Sequence, residues 1–74
     1  MAWDAEWAAE RASEAMAYLA KNYPECGGGP ELHPHQEAAH EAAIVEDRDG
    51  YLEALRSYMR AGRTVALRAR RGAA

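Results

Sequence analysis

Residues 49–71 read DGYLEALRSYMRAGRTVALRARR and carry the clearest periodicity in the chain. Small and apolar residues recur there at intervals of three and four, namely Leu52, Leu55, Met59, Gly62, Ala66 and Ala69. Because such spacing lines up side chains on one side of a helix, it predicts an amphipathic helix over about residues 49–69. Asp47 or Asp49 is the expected N-cap. We expect Gly62 to allow a close helix crossing; the alternative is that it ends the helix and Thr64 caps a short continuation.

Two more helices are predicted upstream. The first covers about residues 3–22, with Asp4 as its N-cap, and ends before Pro24 because proline disfavours a helical conformation in the residue ahead of it. Its expected buried stripe consists of Ala5, Ala8, Ala12, Met16, Leu19 and Tyr23. The second covers about residues 34–46 and starts at Pro34, since a first helical residue needs no N–H. Its thin apolar face consists of Ala39, Ala42, Ala43, Ile44 and Val45.

The connections set the topology. Residues 24–33 are rich in glycine and proline and predict a loop, in which Cys26 is expected to be a free thiol. A single cysteine also excludes an intramolecular disulfide. The short polar turn after the second helix predicts that helices two and three form an αα-hairpin. No segment alternates as a strand does, so the sequence predicts one all-α domain over residues 1–74, a three-helix bundle.

The supply of large apolar side chains is small. Hydrophobic residues make up 49% of the 74 positions, but many of them are alanine. A chain this short rarely gains more than about 3–5 kcal/mol from its own core. We therefore expect a homodimer, in which a second copy completes the core.

Location follows from composition alone. No apolar run approaches the roughly 20 residues that span a bilayer. The start of the chain is acidic, unlike a signal peptide. We expect a cytoplasmic protein with no membrane contact. The preference for arginine over lysine, together with abundant alanine, suggests a bacterial or phage genome rich in GC.

Charge is divided along the chain. All 12 acidic residues lie at or before Glu53, whereas the last helix carries six arginines from Arg56 to Arg71. Four of these arginines share one face at helical spacing, namely Arg56, Arg60, Arg63 and Arg70. We expect this face to pair with acidic helices of the same chain or of a second copy; the alternatives are that it neutralises nucleic-acid phosphates or binds an acidic protein partner. The net charge of −3 weakens attraction to nucleic acid.

Two smaller groups of residues are candidate sites. His33, Glu37 and His40 share a helix face and could offer three ligands to a divalent metal, but the pattern favours a solvated polar face with histidines near a helix start. Trp3 and Trp7 lie one turn apart and could form a binding patch for another protein, or pack in the core or at a dimer seam. Arg11, four residues after Trp7, is placed to stack on that ring.

Function is only broadly bounded by these patterns. Cys26 and the histidines lack the third group that orients a catalytic pair, and no motif points to a cofactor, so the sequence favours a protein without catalytic activity. The first hypothesis is a helical interaction or regulatory module that binds another protein or itself. The second is a nucleic-acid-binding module that uses the arginine-rich helix. The third is a metal-binding protein.

Overall fold

Three α-helices make up the fold. The computed structural model describes residues 3–27 and 29–73. Within them α1 spans Ala5–Asn22, α2 spans His33–Ile44 and α3 spans Arg48–Ala73. Two single 3-10 turns, Pro24–Cys26 and Pro30–Leu32, lie between α1 and α2. These two ranges contain no strand, which confirms the all-α prediction.

The helices run up, down and up. The Tyr51 hydroxyl near the start of α3 donates to the Ala8 carbonyl, and Arg70 near its end donates to the Asn22 carbonyl. Helix α1 is therefore parallel to α3. Glu31, just ahead of α2, contacts Arg68, so α2 runs antiparallel to α3. The predicted hairpin of α2 and α3 is confirmed.

Aspartates start two of the helices. The Asp4 carboxylate accepts hydrogen bonds from the backbone N–H groups of Glu6 at 2.9 Å and Trp7 at 3.2 Å. This confirms the predicted cap, but Trp3 lies ahead of the helix, which starts two residues later than predicted. Of the two candidates for α3, Asp47 is the cap, because its Oδ1 accepts from Gly50 N–H at 3.0 Å.

Helix α2 starts and ends earlier than predicted. The 3-10 turn at Pro30–Leu32 continues directly into it, so His33 is already helical and Pro34 is the second residue. Its end is set by Glu46, which adopts φ 57°. The Glu46 N–H donates to Ala43 and the Asp47 N–H donates to Ala42 at 2.8 Å, a Schellman arrangement that turns the chain back toward α3.

Helix α3 continues through Gly62 and beyond Ala69 to Ala73, further than predicted. A Cβ atom added to Gly62 would lie 2.6 Å from Leu19 Cδ1, so α1 approaches α3 closely at this residue. The Thr64 hydroxyl donates to the Arg60 carbonyl within the helix instead of capping a new one. The close-crossing interpretation of Gly62 is therefore confirmed.

The core consists of two adjoining clusters, and alanine supplies much of it. The first contains Ala8, Ala15, Ala39, Ala42, Tyr51, Ala54 and Leu55, and the second contains Leu19, Cys26, Leu32 and Ala66. Cys26 is a free thiol, as predicted, and it is buried, because the 3-10 turn Pro24–Cys26 directs its side chain into the bundle. Each alanine removes little area from water, which keeps the core thin.

Three large apolar side chains at predicted core positions are exposed instead, and so is Ala5. Met16 is 54% exposed, Ile44 67% and Val45 72%. Ala15 takes the buried place that the sequence pattern gave to Met16, because the contact with α3 is centred on Ala8, Ala15 and Leu19. Ile44 and Val45 lie where α2 ends and the chain turns, so no neighbouring helix covers them. Large apolar side chains are therefore left facing solvent.

Candidate interaction surfaces

An open groove separates α1 from α2. Both helices pack on α3, but they contact each other only sparsely. We call this space the α1–α2 groove. It is lined by Ala12 and Met16 of α1, by His35, Gln36, Ala39 and His40 of α2, and by Tyr51, Leu55 and Tyr58 of α3. Its volume is about 240 Å³.

The floor of the groove is apolar and fixed. Tyr51 and Leu55 are 6% and 8% exposed. The Tyr51 hydroxyl is occupied by its 2.5 Å hydrogen bond to the Ala8 carbonyl, and burial raises the pKa of this phenol. The volume is below the roughly 300–1,000 Å³ typical of small-molecule sites. The groove is therefore suited to one or two apolar side chains, rather than to a polar substrate.

The two tryptophans pack within their own chain. The ring centroid of Trp3 lies 5.3 Å from that of Tyr51, and that of Trp7 lies 6.0 Å from it. The Arg48 guanidinium lies 4.3 Å from the Trp7 centroid. The predicted stacking of Arg11 on Trp7 is wrong, because Arg11 instead pairs with Glu14 at 2.7 Å. This aromatic cluster closes the end of the bundle where α1 and α3 begin.

Two arginines tie the end of α3 to the 3-10 turns. Arg70 pairs with Glu25 and donates to the Asn22 carbonyl at 2.7 Å. Its hydrogen bond holds the pKa of the Glu25 carboxyl below its usual value and raises the pKa of Arg70. Arg68 donates to both carboxylate oxygens of Glu31 at 3.1 Å. Arg70 is thus engaged within the chain and is not a free member of the predicted arginine face.

Four exposed arginines of α3 form a second surface, which we call the arginine face: Arg56, Arg60, Arg63 and Arg71. It contains Arg71 in place of the predicted Arg70. All four are exposed. Arg56 forms an ion pair with Glu53 at 3.3 Å, within the same helix. In the described part of the chain, the other three form no ion pair. Intramolecular pairing therefore accounts for some of the positive charge of α3 but not for these three arginines.

The predicted metal ligands are not brought together. His33, Glu37 and His40 all lie on α2, and the rise of 1.5 Å per residue separates the first from the last by about 10 Å along the axis. Across residues 3–27 and 29–73, no three histidine, cysteine or acidic side chains converge closely enough to hold one ion. His40 instead lines the α1–α2 groove.

Comparison of the chain with protein-family models, with curated proteins and with solved structures finds no match. Over the described ranges, no helix combines the length and the apolar character that crossing a membrane requires. The α1–α2 groove and the arginine face are therefore the two candidate functional surfaces of the molecule.

Proposed function

We propose that this chain is a non-catalytic helical interaction module that assembles with a second copy of itself. The α1–α2 groove carries the proposal. It is an apolar channel between two helices, and its floor consists of buried side chains that offer no charged group. A helix of a partner laid along it would remove this surface from water, which is the main favourable term in association.

The dimensions of the molecule support the proposed self-assembly. The chain exposes 5053 Å², whereas a compact monomer of 74 residues is expected to expose roughly 4,500 Å². Its radius of gyration is 13.1 Å, compared with an expected value of about 11 Å. The Cα atoms extend 48 × 20 × 15 Å, so the bundle is long and thin. A standard interface buries about 800 Å² on each partner, which is a small part of the 5053 Å² that the chain exposes.

Solution mass and thermal stability together test the proposal. We expect light scattering to give twice the chain mass at micromolar concentration. The midpoint of thermal unfolding should rise with protein concentration, because dissociation is linked to unfolding. A mass equal to one chain at all concentrations, with an unfolding midpoint independent of concentration, would contradict self-assembly.

Nucleic-acid binding is a second candidate function. The observation in its favour is the set of three exposed arginines on α3 that form no ion pair in the described part of the chain. Such side chains can neutralise phosphates, and the resulting affinity falls steeply with salt. The chain as a whole carries a charge of −3, which opposes long-range attraction to a polyanion. Self-assembly is therefore the primary proposal.

Retention of a duplex at low salt separates the two functions. If the second candidate is correct, a 20-base-pair duplex binds in 20 mM salt, and the double variant Arg60→Gln with Arg63→Gln loses most of that binding. Lys21→Gln is the control for position, since it removes an exposed positive charge from α1 and leaves the arginine face intact. Absence of binding by the native chain at this salt concentration contradicts the nucleic-acid function and leaves self-assembly unaffected.

A further inference from the structure

One side of α1 carries no charge, although it faces solvent. Residues there recur at helical spacing beside the α1–α2 groove, and they are Ala5, Ala9, Ala12, Ser13, Met16 and Ala20. Five of them are exposed, and Ala12 is half-buried. Exposed sides of helices in soluble proteins are normally polar. An uncharged exposed side next to an apolar groove is a candidate surface for packing against another helix.

Met16 projects from this side. It is 54% exposed, although it also lines one wall of the groove. Its neighbours along the same side are alanines and a serine, so it is the one large side chain on an otherwise low surface. Methionine is flexible and adapts to irregular gaps, so it suits a projecting residue that fills a cavity of about 240 Å³.

Resting on the proposed self-assembly, we propose that the two copies pair through α1, antiparallel about a twofold axis near Ser13. Met16 of the second copy then enters the α1–α2 groove over Tyr51, Leu55 and Tyr58. The relationship is reciprocal, because a twofold axis places the same surface on both copies. Each groove is incomplete without the methionine of the other chain.

The sequence of α1 fits such pairing. With the axis between Ala12 and Ser13, residue 16 faces residue 9 of the other copy, and residue 20 faces residue 5. Each facing pair then contains at least one alanine: alanine opposite methionine, alanine opposite alanine, and alanine opposite serine. Small residues let two helix backbones approach closely, and an alanine opposite Met16 leaves that side chain room to reach the groove.

Charge favours this surface over the arginine face. A twofold contact brings a surface against its own copy, so the arginine face would set exposed guanidinium groups against one another. The α1 side has no charge to oppose another copy. The exposed pair Ile44 and Val45 forms only a two-residue apolar patch at the C-terminal end of α2.

The first test replaces the projecting residue. Met16→Glu places a charge where the second copy must pack, and we expect the dimer dissociation constant, measured by sedimentation, to rise at least tenfold. Ile44→Glu is the matched control, because Ile44 is also apolar and is 67% exposed. It should leave the dissociation constant unchanged. Circular dichroism of both variants verifies that the helices are retained, as expected at exposed positions.

The second test identifies, by disulfide crosslinking, which surface of the chain forms the interface. Ser13→Cys places a thiol close to the axis, and we expect it to form a disulfide-linked dimer rapidly under mild oxidation. Thr64→Cys, on an exposed position of α3, should remain largely uncrosslinked. The native chain, with its buried Cys26, supplies the background rate. Because crosslinking depends on position, it reports which surface forms the interface.

The outcomes separate this inference from the proposed function. A native dimer that persists in Met16→Glu, or that crosslinks through residue 64 faster than through residue 13, overturns α1 pairing but leaves self-assembly standing. A native chain that is monomeric overturns both. Loss of the dimer in Met16→Glu alone, together with selective crosslinking at residue 13, supports the pairing through α1.

Discussion

Tyr51 connects three parts of the molecule. Its ring lies between the aromatic cluster of Trp3 and Trp7 and the floor of the α1–α2 groove. Its hydroxyl donates to the Ala8 carbonyl at 2.5 Å and so fixes the position of α1 along α3. From the sequence, Tyr51 is identifiable only as an aromatic residue at the start of a helix. The acceptor of its hydroxyl lies 43 positions earlier, so no local pattern indicates the hydrogen bond.

Removing this hydroxyl should affect stability and its dependence on pH. Burial raises the pKa of Tyr51, so the folded chain holds the phenolic proton more tightly than the unfolded chain, whose pKa is about 10. The contribution of Tyr51 to the free energy of unfolding is therefore fully present below about pH 10 and is lost as pH rises through the raised pKa. We expect Tyr51→Phe to cost about 1 kcal/mol at pH 8 and to show a smaller alkaline loss. Urea unfolding at pH 8 and 10.5 measures both effects.

Tyr18→Phe is the control for that experiment, because Tyr18 is 41% exposed. We expect its free energy of unfolding at pH 8 to be close to that of the native chain. An equal loss of stability in both variants would mean that the bond between Tyr51 and Ala8 does not hold α1 in place.

Gly62 gives a prediction opposite to helix propensity. Alanine is favoured over glycine inside a helix by about 1 kcal/mol. At this position, however, a Cβ would lie 2.6 and 2.7 Å from the two methyl carbons of Leu19, which is only 2% exposed and has no room to move away. We expect Gly62→Ala to lower the free energy of unfolding by about 1–3 kcal/mol. Chemical denaturation measures this.

Gly72 is the matched position on the same helix. A Cβ there meets no atom within 4 Å, so Gly72→Ala should be neutral or slightly stabilising. The sign of the difference between the two variants is the informative quantity. A stabilised Gly62→Ala would contradict the close approach of α1 to α3.

At the scale of the helices, the sequence predicted existence and order better than ends or faces. Periodicity, together with capping aspartates for α1 and α3 and a proline near the start of α2, identified the three helices, because those signals are local. The early end of α2 depends on Glu46 adopting φ 57°, a conformation that usually requires glycine. Since the sequence has glutamate there, it does not indicate that the helix ends at this point. The exposure of Ile44 and Val45 follows from that same end.

The groove was missed for a different reason. The sequence assigned Met16 to the buried stripe of α1, since its spacing from Ala12 and Leu19 suits one. The uncharged arc of α1 is, however, wider than one contact with α3 requires, and it continues through Ala9 and Ser13. That excess width was the available signal for a second contact. Which side of the arc faces α3 was decided by tertiary packing.

The loop between α1 and α2 is held by α3, and this gives an element-scale prediction. Arg70→Gln removes the pairing with Glu25, while Arg63→Gln, at an exposed arginine without an ion pair, is its control. We expect faster amide hydrogen exchange at Cys26 in Arg70→Gln, with a nearly unchanged global unfolding midpoint, because surface pairs contribute little to stability. Unchanged exchange at Cys26 would show that the turn is held by its own burial.

Acid should reproduce the effect of that substitution. The pKa of Glu25 is lowered in the folded chain by the hydrogen bond from Arg70. The contribution of the pair is therefore present above the ordinary pKa of glutamate, about 4.5, and is lost as pH falls through the lowered value. Protection of the Cys26 amide should decline in the native chain over that acidic range, and less so in Arg70→Gln.

The molecule as a whole is a long, thin bundle with a core made largely of alanine. Alanine lets α1 and α2 lie close to α3, but it leaves the α1–α2 groove unfilled and Met16 in solvent. The same shortage of large side chains thus explains both the thin core and the proposed need for a second copy. A side chain that fills the groove from within its own chain should then separate folding from assembly.

Ala12→Leu is that change, since Ala12 is half-buried on the α1 wall of the groove. The added carbons are expected to cover the floor and to stabilise the folded monomer by about 1–2 kcal/mol. They also occupy the space proposed for Met16 of the second copy, so the dimer dissociation constant should rise. Unfolding at low concentration and sedimentation measure the two effects, which have opposite signs. If both stability and assembly increased, the groove would not be the site that a second copy fills.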